Sequence, residues 1–173
     1  MGGQGVKNRN LNHSDDWRTP PYFYYLLDSA YNFDFDPCPY QHDISKWDGL
    51  QIDWGLRNFV NPGYSQKVKE AFVEKAVVEK EKGKLVVLLI PVSMSTKLYH
   101  DVIVPNSEVI QPIRGRIPFI GINSKGEYVN WHLSETQAPE GVKHVKNQGQ
   151  HDSMIVVMDG IGTYDFSIKH LVT

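Results

Sequence analysis

Residues 58–64 read Asn-Phe-Val-Asn-Pro-Gly-Tyr, a short apolar strand that runs directly into a turn. Ser65 then suits the N-cap of a helix, and the amphipathic run from Gln66 to Lys82 ends at Gly83. Residues 84–91 are almost continuously apolar. This order predicts a strand, a turn, a helix and a second strand. In an α/β unit of this kind the loop after the first strand lies where ligands bind, so we expect the turn at the mouth of a site.

Composition limits the architecture and the class of partner. The chain has 173 residues, 40% of them hydrophobic, which fits one globular domain. Its formal net charge of −2 excludes a uniformly basic nucleic-acid binder, so phosphate contacts would have to come from local clusters. The single cysteine excludes an intramolecular disulfide, and no apolar run approaches the roughly 20 residues that span a bilayer. We therefore expect a soluble intracellular protein.

The first part of the chain is expected to hold a tail and a helix. Residues 1–14 are polar and rich in glycine, which predicts a flexible tail, and residues 15–173 are expected to form the folded domain. Thr19 and Pro20 predict an N-cap and a first helical residue. The inner face of this helix is predicted to carry Tyr22, Tyr25, Leu26 and Ala30.

Short strands are predicted on both sides of the central unit. Phe33 and Phe35 alternate with acidic residues, which predicts a strand that ends in a turn at Asp36. Residues 123–126 predict a hairpin turn, and the polar residues 134–150 predict a functional lid or a disordered segment. The other predicted strands cover residues 108–111, 117–122, 128–133, 153–158 and 164–168.

The turn at residues 61–64 resembles motif IV of the amino-methyltransferases, the Asp/Asn/Ser-Pro-Pro-Tyr signature of enzymes that methylate an exocyclic amine of adenine or cytosine in DNA. Trp17-Arg18-Thr19-Pro20 and Asp36-Pro37-Cys38-Pro39 precede it. In this order the three segments resemble the compact phage-type DNA adenine-N6 methyltransferase family. Later segments extend the resemblance over roughly residues 15–158. The chain departs from the family pattern at Gly63, where a second proline is usual, and at residues 93–96, where a Thr-Asp-Thr-type run is usual.

The resemblance implies a fold, a methyl donor and a set of site residues. The implied fold is α/β, a single Rossmann-like methyltransferase domain with a mostly parallel sheet and a strand-rich carboxyl-terminal part. The implied donor is S-adenosylmethionine, with Asp36 at its methionine amino group and Asp48 facing its adenosine. The residues expected to bind the donor are Trp17, Thr19, Pro20, Asp36, Pro37, Cys38 and Asp48, and the expected catalytic residues are Asn61, Pro62, Gly63 and Tyr64.

Methyl transfer to an exocyclic amine is difficult because the nitrogen lone pair is delocalised into the base. The side-chain oxygen of Asn61 and the backbone carbonyl of Pro62 could each accept one N–H of the amine and direct the lone pair toward the methyl group. Tyr64 could supply an aromatic face on which the base stacks. A base in duplex DNA would first have to leave the helix.

The expected partner is DNA, and the expected location is the host cytoplasm of a phage or prophage. The residues expected to contact nucleic acid are Lys67, Lys97, Arg114 and Arg116. Lys69 could join Lys67, and Lys143 could form another cluster with Lys146, although such charges also serve as solvated surface. Cys38 and His42 alone make no structural zinc site, so no metal is expected.

Three alternatives stay open on the sequence. The same chemistry could act on cytosine N4 or on an RNA base, since motif IV serves both adenine and cytosine enzymes. A degenerate methyltransferase fold could bind nucleic acid without turnover. The protein could be a monomer or a homodimer.

Overall fold

The computed structural model describes residues 16–122, 128–130, 143–144 and 151–162. The helices are α1 (Pro21–Tyr31), α2 (Gln66–Glu81) and a π-helical segment (Leu98–Ile103) that continues into α3 (Val104–Asn106). The strands are β1 (Arg57–Val60), β2 (Leu85–Pro91), β3 (Val109–Pro112), β4 (Ile120–Ile122), β5 (Tyr128–Asn130), β6 (Lys143–His144) and β7 (Ser153–Asp159). The expected tail at 1–14, the turn at 123–126, most of 134–150 and the strand at 164–168 lie outside the described residues. The assignment of 15–173 to one domain stays a prediction.

The main sheet has the strand order β1-β2-β7-β3. β1 pairs with β2 in parallel, whereas β7 pairs antiparallel with both β2 and β3. The α/β class is therefore confirmed, but the expectation of a mostly parallel sheet was wrong. The reason is that β7 returns from the end of the chain and inserts between β2 and β3. Since both of its neighbours oppose it, β1, β2 and β3 still run in one direction.

Among the described residues, five strands, β3 to β7, lie in the carboxyl-terminal part, and three of them form a second sheet with the order β4-β5-β6. β4 and β5 pair antiparallel, with Ile120 opposite Asn130. β5 and β6 pair in parallel. The strand predicted at residues 117–122 is shorter in the structure, where it begins at Ile120.

The central unit matches its prediction closely. β1 is followed by α2, with Ser65 at the N-cap position, and the helix ends before Gly83, whose φ of +84° is left-handed. Every residue of β2 and β7 is buried. Strands covered on both faces are continuously apolar rather than alternating, which explains why β2 was readable from the sequence.

Side chains of β2 divide between two cores, one on each face of the sheet. Val86, Leu88 and Ile90 pack with residues of α2, including Phe72 and Val73. The alternate residues of β2 pack with α1 on the opposite face, in a cluster that contains Leu85, Val87, Leu89, Phe23, Leu27 and Tyr31. The sheet therefore lies between α1 and α2.

The predicted inner face of α1 was wrong. Its buried residues are Phe23, Leu27 and Tyr31, whereas the expected Tyr22, Tyr25 and Leu26 are 55%, 66% and 43% exposed and Ala30 is half-buried. The helix also begins one residue later than expected, with Pro20 at the N-cap and Pro21 as its first residue. Because residues 22–27 are all apolar or aromatic, their periodicity does not distinguish one face from another. Packing against the sheet decides it.

A buried carboxylate joins the end of α2 to the start of β2. Glu79 is fully buried, and its oxygens lie 3.2 Å, 3.0 Å and 2.5 Å from the ammonium groups of Lys75, Lys82 and Lys84. Lys84 also donates to the backbone carbonyl of Trp54 over 2.6 Å. Burial alone would raise the pKa of Glu79, but the hydrogen bonds from the three lysines outweigh it and lower the pKa to about 2.

We expect Glu79→Gln to destabilise the fold by about 3 kcal/mol at pH 7, since removing one partner of a buried ion pair leaves the others uncompensated. Because the pKa of Glu79 is lowered on folding to about 2, its contribution is present above about pH 5 and is lost as the pH falls toward 2. Urea unfolding of both proteins across this range measures the difference. The exposed Glu81→Gln is the matched control, expected within about 0.5 kcal/mol of wild type. A difference that does not shrink at low pH would contradict the electrostatic explanation.

Candidate active site

A cleft of about 250 Å³ opens beside the end of β1. Its walls come from the segment before α1, from the first turns of α1, from the chain after Phe35 and from the end of β1 itself. Phe35 forms a single parallel bridge with Asn58, and the Phe59 N–H donates to the Phe35 carbonyl over 3.0 Å. Asp36 and Asn61 therefore follow neighbouring parallel segments, at the edge where α/β sheets bind ligands. The lining residues are Trp17, Arg18, Thr19, Pro21, Tyr24, Tyr25, Asp36, Cys38, Tyr40, Phe59 and Asn61.

The Asn61 amide is held by two hydrogen bonds to the segment before α1. Its Nδ2 donates to the Trp17 carbonyl over 2.9 Å and to the Thr19 hydroxyl over 3.0 Å. A backbone carbonyl can only accept, so the amide nitrogen, and not the oxygen, must face it. Oδ1 accepts no hydrogen bond from the described residues, which leaves an acceptor on a residue that lines the cleft.

The segment that holds Asn61 is itself fixed to the second sheet. Arg18 and Ile120 exchange two backbone hydrogen bonds, of 2.7 Å and 3.0 Å. The Trp17 ring packs directly on Gly121, where an added Cβ would lie 2.3 Å from Cε3 of the indole. Only glycine allows this approach, so β4 sets the position of residues 17–19, which we call the strap.

Asp36 is a carboxyl group in the wall of the cleft. Burial raises its pKa to about 6, although the backbone and side chain of Cys38 oppose the shift, with the Cys38 N–H donating to Oδ1 over 2.9 Å. A carboxyl with this pKa is poorly stabilised as an anion. Its charge changes around pH 6, where a cationic ligand would stabilise the ionised form.

Tyr64 does not line the cleft. Its half-buried ring packs edge-on against Phe119 and His151, with centroids 5.7 Å and 5.8 Å away. Burial raises the pKa of Tyr64, against a smaller opposing effect from the Ser153 hydroxyl. Neither hydroxyl has a hydrogen-bond partner of normal geometry among the described residues.

Pro62 and Gly63, like Tyr64, are outside the residues that line the cleft, and their catalytic roles stay predictions. Pro62 is buried and Gly63 is half-buried. Gly63 is not among the described glycines with positive φ, which are Gly83, Gly115 and Gly162. Its φ therefore does not require glycine.

The expected donor-binding residues divide into two groups. The first group lines the cleft and consists of Trp17, Thr19, Asp36 and Cys38. Pro20, Pro37 and Asp48 are outside the lining. Pro20 occupies the N-cap position of α1. The Pro37 carbonyl oxygen packs against Gly49, where an added Cβ would lie 2.0 Å from it. Asp48 Oδ1 accepts the Leu50 N–H over 2.9 Å in a local turn. The roles of all seven stay predictions.

The residues expected to contact DNA follow strand ends or begin the helix after β1, and their roles stay predictions. Lys97 and Arg114 follow the ends of β2 and β3, which run in the same direction as β1, so both lie at the edge that carries Asn61. Lys67, in the first turn of α2, is exposed, and Arg116 is partly paired with Asp152 at 3.2 Å. Lys69 is buried, so it does not form the surface cluster considered with Lys67. The side chains of Lys143 and Lys146 lie outside the description.

Six lining residues were not predicted: Arg18, Pro21, Tyr24, Tyr25, Tyr40 and Phe59. Arg18 lies between Trp17 and Thr19, and Phe59 lies two residues before Asn61, so proximity to the expected segments was the available signal. Within the described ranges, no group of three or more His, Cys, Asp or Glu side chains could hold a metal ion. None of the described helices has the length and hydropathy needed to cross a membrane.

The described residues thus form an α/β fold whose cleft, at the edge reached by the end of β1, presents an amide, a carboxyl and aromatic rings. A family model described as DNA N-6-adenine-methyltransferase (Dam) matches residues 7–165. A protein of Haemophilus phage HP1 (strain HP1c1) named DNA N-6-adenine-methyltransferase is 31% identical over 153 residues, covering 78% of this chain and 86% of that protein. No solved structure matches the chain significantly. The chain belongs to the DNA N-6-adenine-methyltransferase family.

We expect Tyr64→Phe to be mild and Tyr64→Ala to be severe, in both stability and methyl transfer. The phenylalanine keeps the ring contacts with Phe119 and His151 and removes a buried hydroxyl that has no described partner. The alanine leaves a cavity that typically costs about 3–5 kcal/mol. Unfolding curves and methyl-transfer rates of both variants check the order. Equal damage from the two substitutions would show that the hydroxyl carries the role.

Proposed function

We propose that this protein methylates N6 of adenine in DNA at the described cleft, with Asn61 as the residue that accepts an N–H of the target amine. The observation that carries the proposal is the orientation of the Asn61 amide. Both of its N–H groups are committed to the strap, and its oxygen is left as an acceptor at a cleft. Membership of the adenine-N6 family supplies the target atom.

Accepting hydrogen bonds from the amine is the chemistry that this turn can perform. Asn61 Oδ1 accepts one N–H and the Pro62 carbonyl accepts the other, which draws the lone pair out of conjugation with the base. Asparagine suits this role because it is neutral and needs no desolvation as a charge. The methylated product then loses its proton readily, so no strong base is required. Retention of this oriented amide argues against a degenerate fold without turnover.

The cleft fits the amino-acid end of S-adenosylmethionine, which supplies the methyl group when bound. Among the described lining residues, Asp36 is the acidic side chain and Arg18 is the cationic one. The Asp36 carboxylate would match the ammonium group of the donor, and the Arg18 guanidinium would match its carboxylate. The raised pKa of Asp36 indicates a carboxyl that lacks a compensating cation. Trp17 and Cys38 complete the wall. We propose that the domain that binds the donor in this way is a Rossmann-like methyltransferase domain.

DNA is proposed to approach along the edge that carries the ends of β1, β2 and β3. Lys67, Lys97, Arg114 and Arg116 would contact phosphates, and the target adenine would leave the duplex to reach Asn61. Tyr64, which lies in the same turn as Asn61 but outside the cleft lining, would provide a stacking surface for the extruded base. We place the reaction in the host cytoplasm of a phage or prophage.

Replacing Asn61 by Ala should lower turnover far more than donor affinity. Loss of one preorganised polar contact in such a site typically costs about 100- to 1000-fold in rate. Methyl-transfer kinetics and calorimetry with S-adenosylmethionine separate the two effects. Turnover like wild type would remove Asn61 from the mechanism. Loss of donor binding together with activity would make its role structural.

The affinity for S-adenosylmethionine should rise with pH between 5 and 7. Asp36 has a raised pKa of about 6 without ligand, so below that pH it is neutral and loses its attraction for the ammonium group, at up to about tenfold in affinity per pH unit. In Asp36→Asn the affinity should be lower and independent of pH over this range. Calorimetry at several pH values measures both profiles. A wild-type profile that is flat, or one that Asp36→Asn retains, would exclude Asp36 as the titrating group.

A further inference from the structure

We propose that Thr19 is a positioning residue for the catalytic amide, which deepens and rests on the proposed role of Asn61. The expectation from sequence placed Thr19 against the methyl donor. In the structure the Thr19 hydroxyl lies 3.0 Å from Nδ2 of Asn61, a residue 42 positions away along the chain. Its most specific contact is therefore with the catalytic residue.

Two acceptors are needed to hold the amide completely. The Trp17 carbonyl, 2.9 Å from Nδ2, takes one N–H and determines which amide atom faces the strap. With that bond alone the amide plane could still turn about the axis of the hydrogen bond and carry Oδ1 with it. The Thr19 hydroxyl takes the second N–H and fixes the plane. Oδ1 is then held in one direction before substrate binds, which is the preorganisation that the proposed chemistry requires.

The position of the hydroxyl is set by the backbone. Thr19 is 8% exposed, and the preceding residue, Arg18, is fixed by its two hydrogen bonds with Ile120. Pro20 and Pro21 follow, and each proline ring restricts its own φ angle. The Pro20 carbonyl accepts the Phe23 N–H over 3.0 Å at the start of α1. The acceptor therefore belongs to a rigid part of the strap and needs no ligand to order it.

Thr19→Val and Thr19→Ser separate the hydroxyl from the shape of the side chain. Valine keeps the branched shape but leaves one N–H of the half-buried Asn61 amide without its acceptor, and we expect turnover to fall roughly tenfold or more. Serine keeps the acceptor, and we expect turnover within about threefold of wild type. The KM and Kd for S-adenosylmethionine should change little in either variant. A fall in donor affinity with unchanged turnover would assign Thr19 to the donor and overturn the proposal.

A double-mutant cycle with Asn61→Ala gives the sharpest test. Once the amide is absent, Thr19 has nothing to position, so Thr19→Val should produce no further loss of turnover in the Asn61→Ala protein. A loss that persists at full size in that background would overturn the proposal. If Asn61→Ala alone has wild-type turnover, the proposed function of Asn61 fails instead, so the two failures are distinguishable.

Folding is checked by urea unfolding of each variant. If Thr19→Val does not fold, Thr19→Ala takes its place in both comparisons, because it removes the hydroxyl without forcing a methyl group toward the amide. Rescue of turnover by serine relative to alanine then supports the positioning role. Equal turnover of the serine and alanine variants would contradict it.

Discussion

Two hydrogen bonds from the Asn61 amide to the strap are the interaction on which the site depends. They join the end of β1 to residues 17–19, and the strap is joined in turn to β4 through Arg18 and Ile120. The cleft lies between these parts. Without the two bonds, the wall of the cleft and the amide would be positioned independently. With them, one arrangement of the backbone sets both.

The direction of the strands explains why the other proposed contacts gather around the same edge. β7 inserts antiparallel between β2 and β3, so the ends of β1, β2 and β3 all reach the edge that carries Asn61. The turn at Asn61, the residues before Lys97 and the loop that holds Arg114 follow these ends. A chain with a net charge of −2 can therefore carry several positive residues near one edge, as the proposed DNA contacts require, without a basic surface overall.

The sequence predicted elements whose signals are local. The predictions of β1, α2 and β2 were correct because a capping residue, helix periodicity and a doubly buried strand each leave a pattern within a few residues. The predictions of the inner face of α1 and of the exposure of Lys69 were wrong because packing partners distant in sequence decide both. The prediction of a mostly parallel sheet was wrong for the same reason, since β7, which pairs antiparallel with β2, lies more than 60 residues after it along the chain. The hydrogen bonds between Asn61 and the strap join residues 44 and 42 positions apart, and no local sequence pattern indicates them.

The central claim is that the Asn61 cleft methylates adenine N6 in DNA. Its most direct test incubates the purified protein and its Asn61→Ala variant with labelled S-adenosylmethionine and with DNA or RNA, followed by mass spectrometry of the released nucleosides. The account predicts N6-methyladenine from DNA with the wild-type protein and little with the variant. N4-methylcytosine, a label found only in RNA, or no methylated nucleoside from the folded wild-type protein would contradict it.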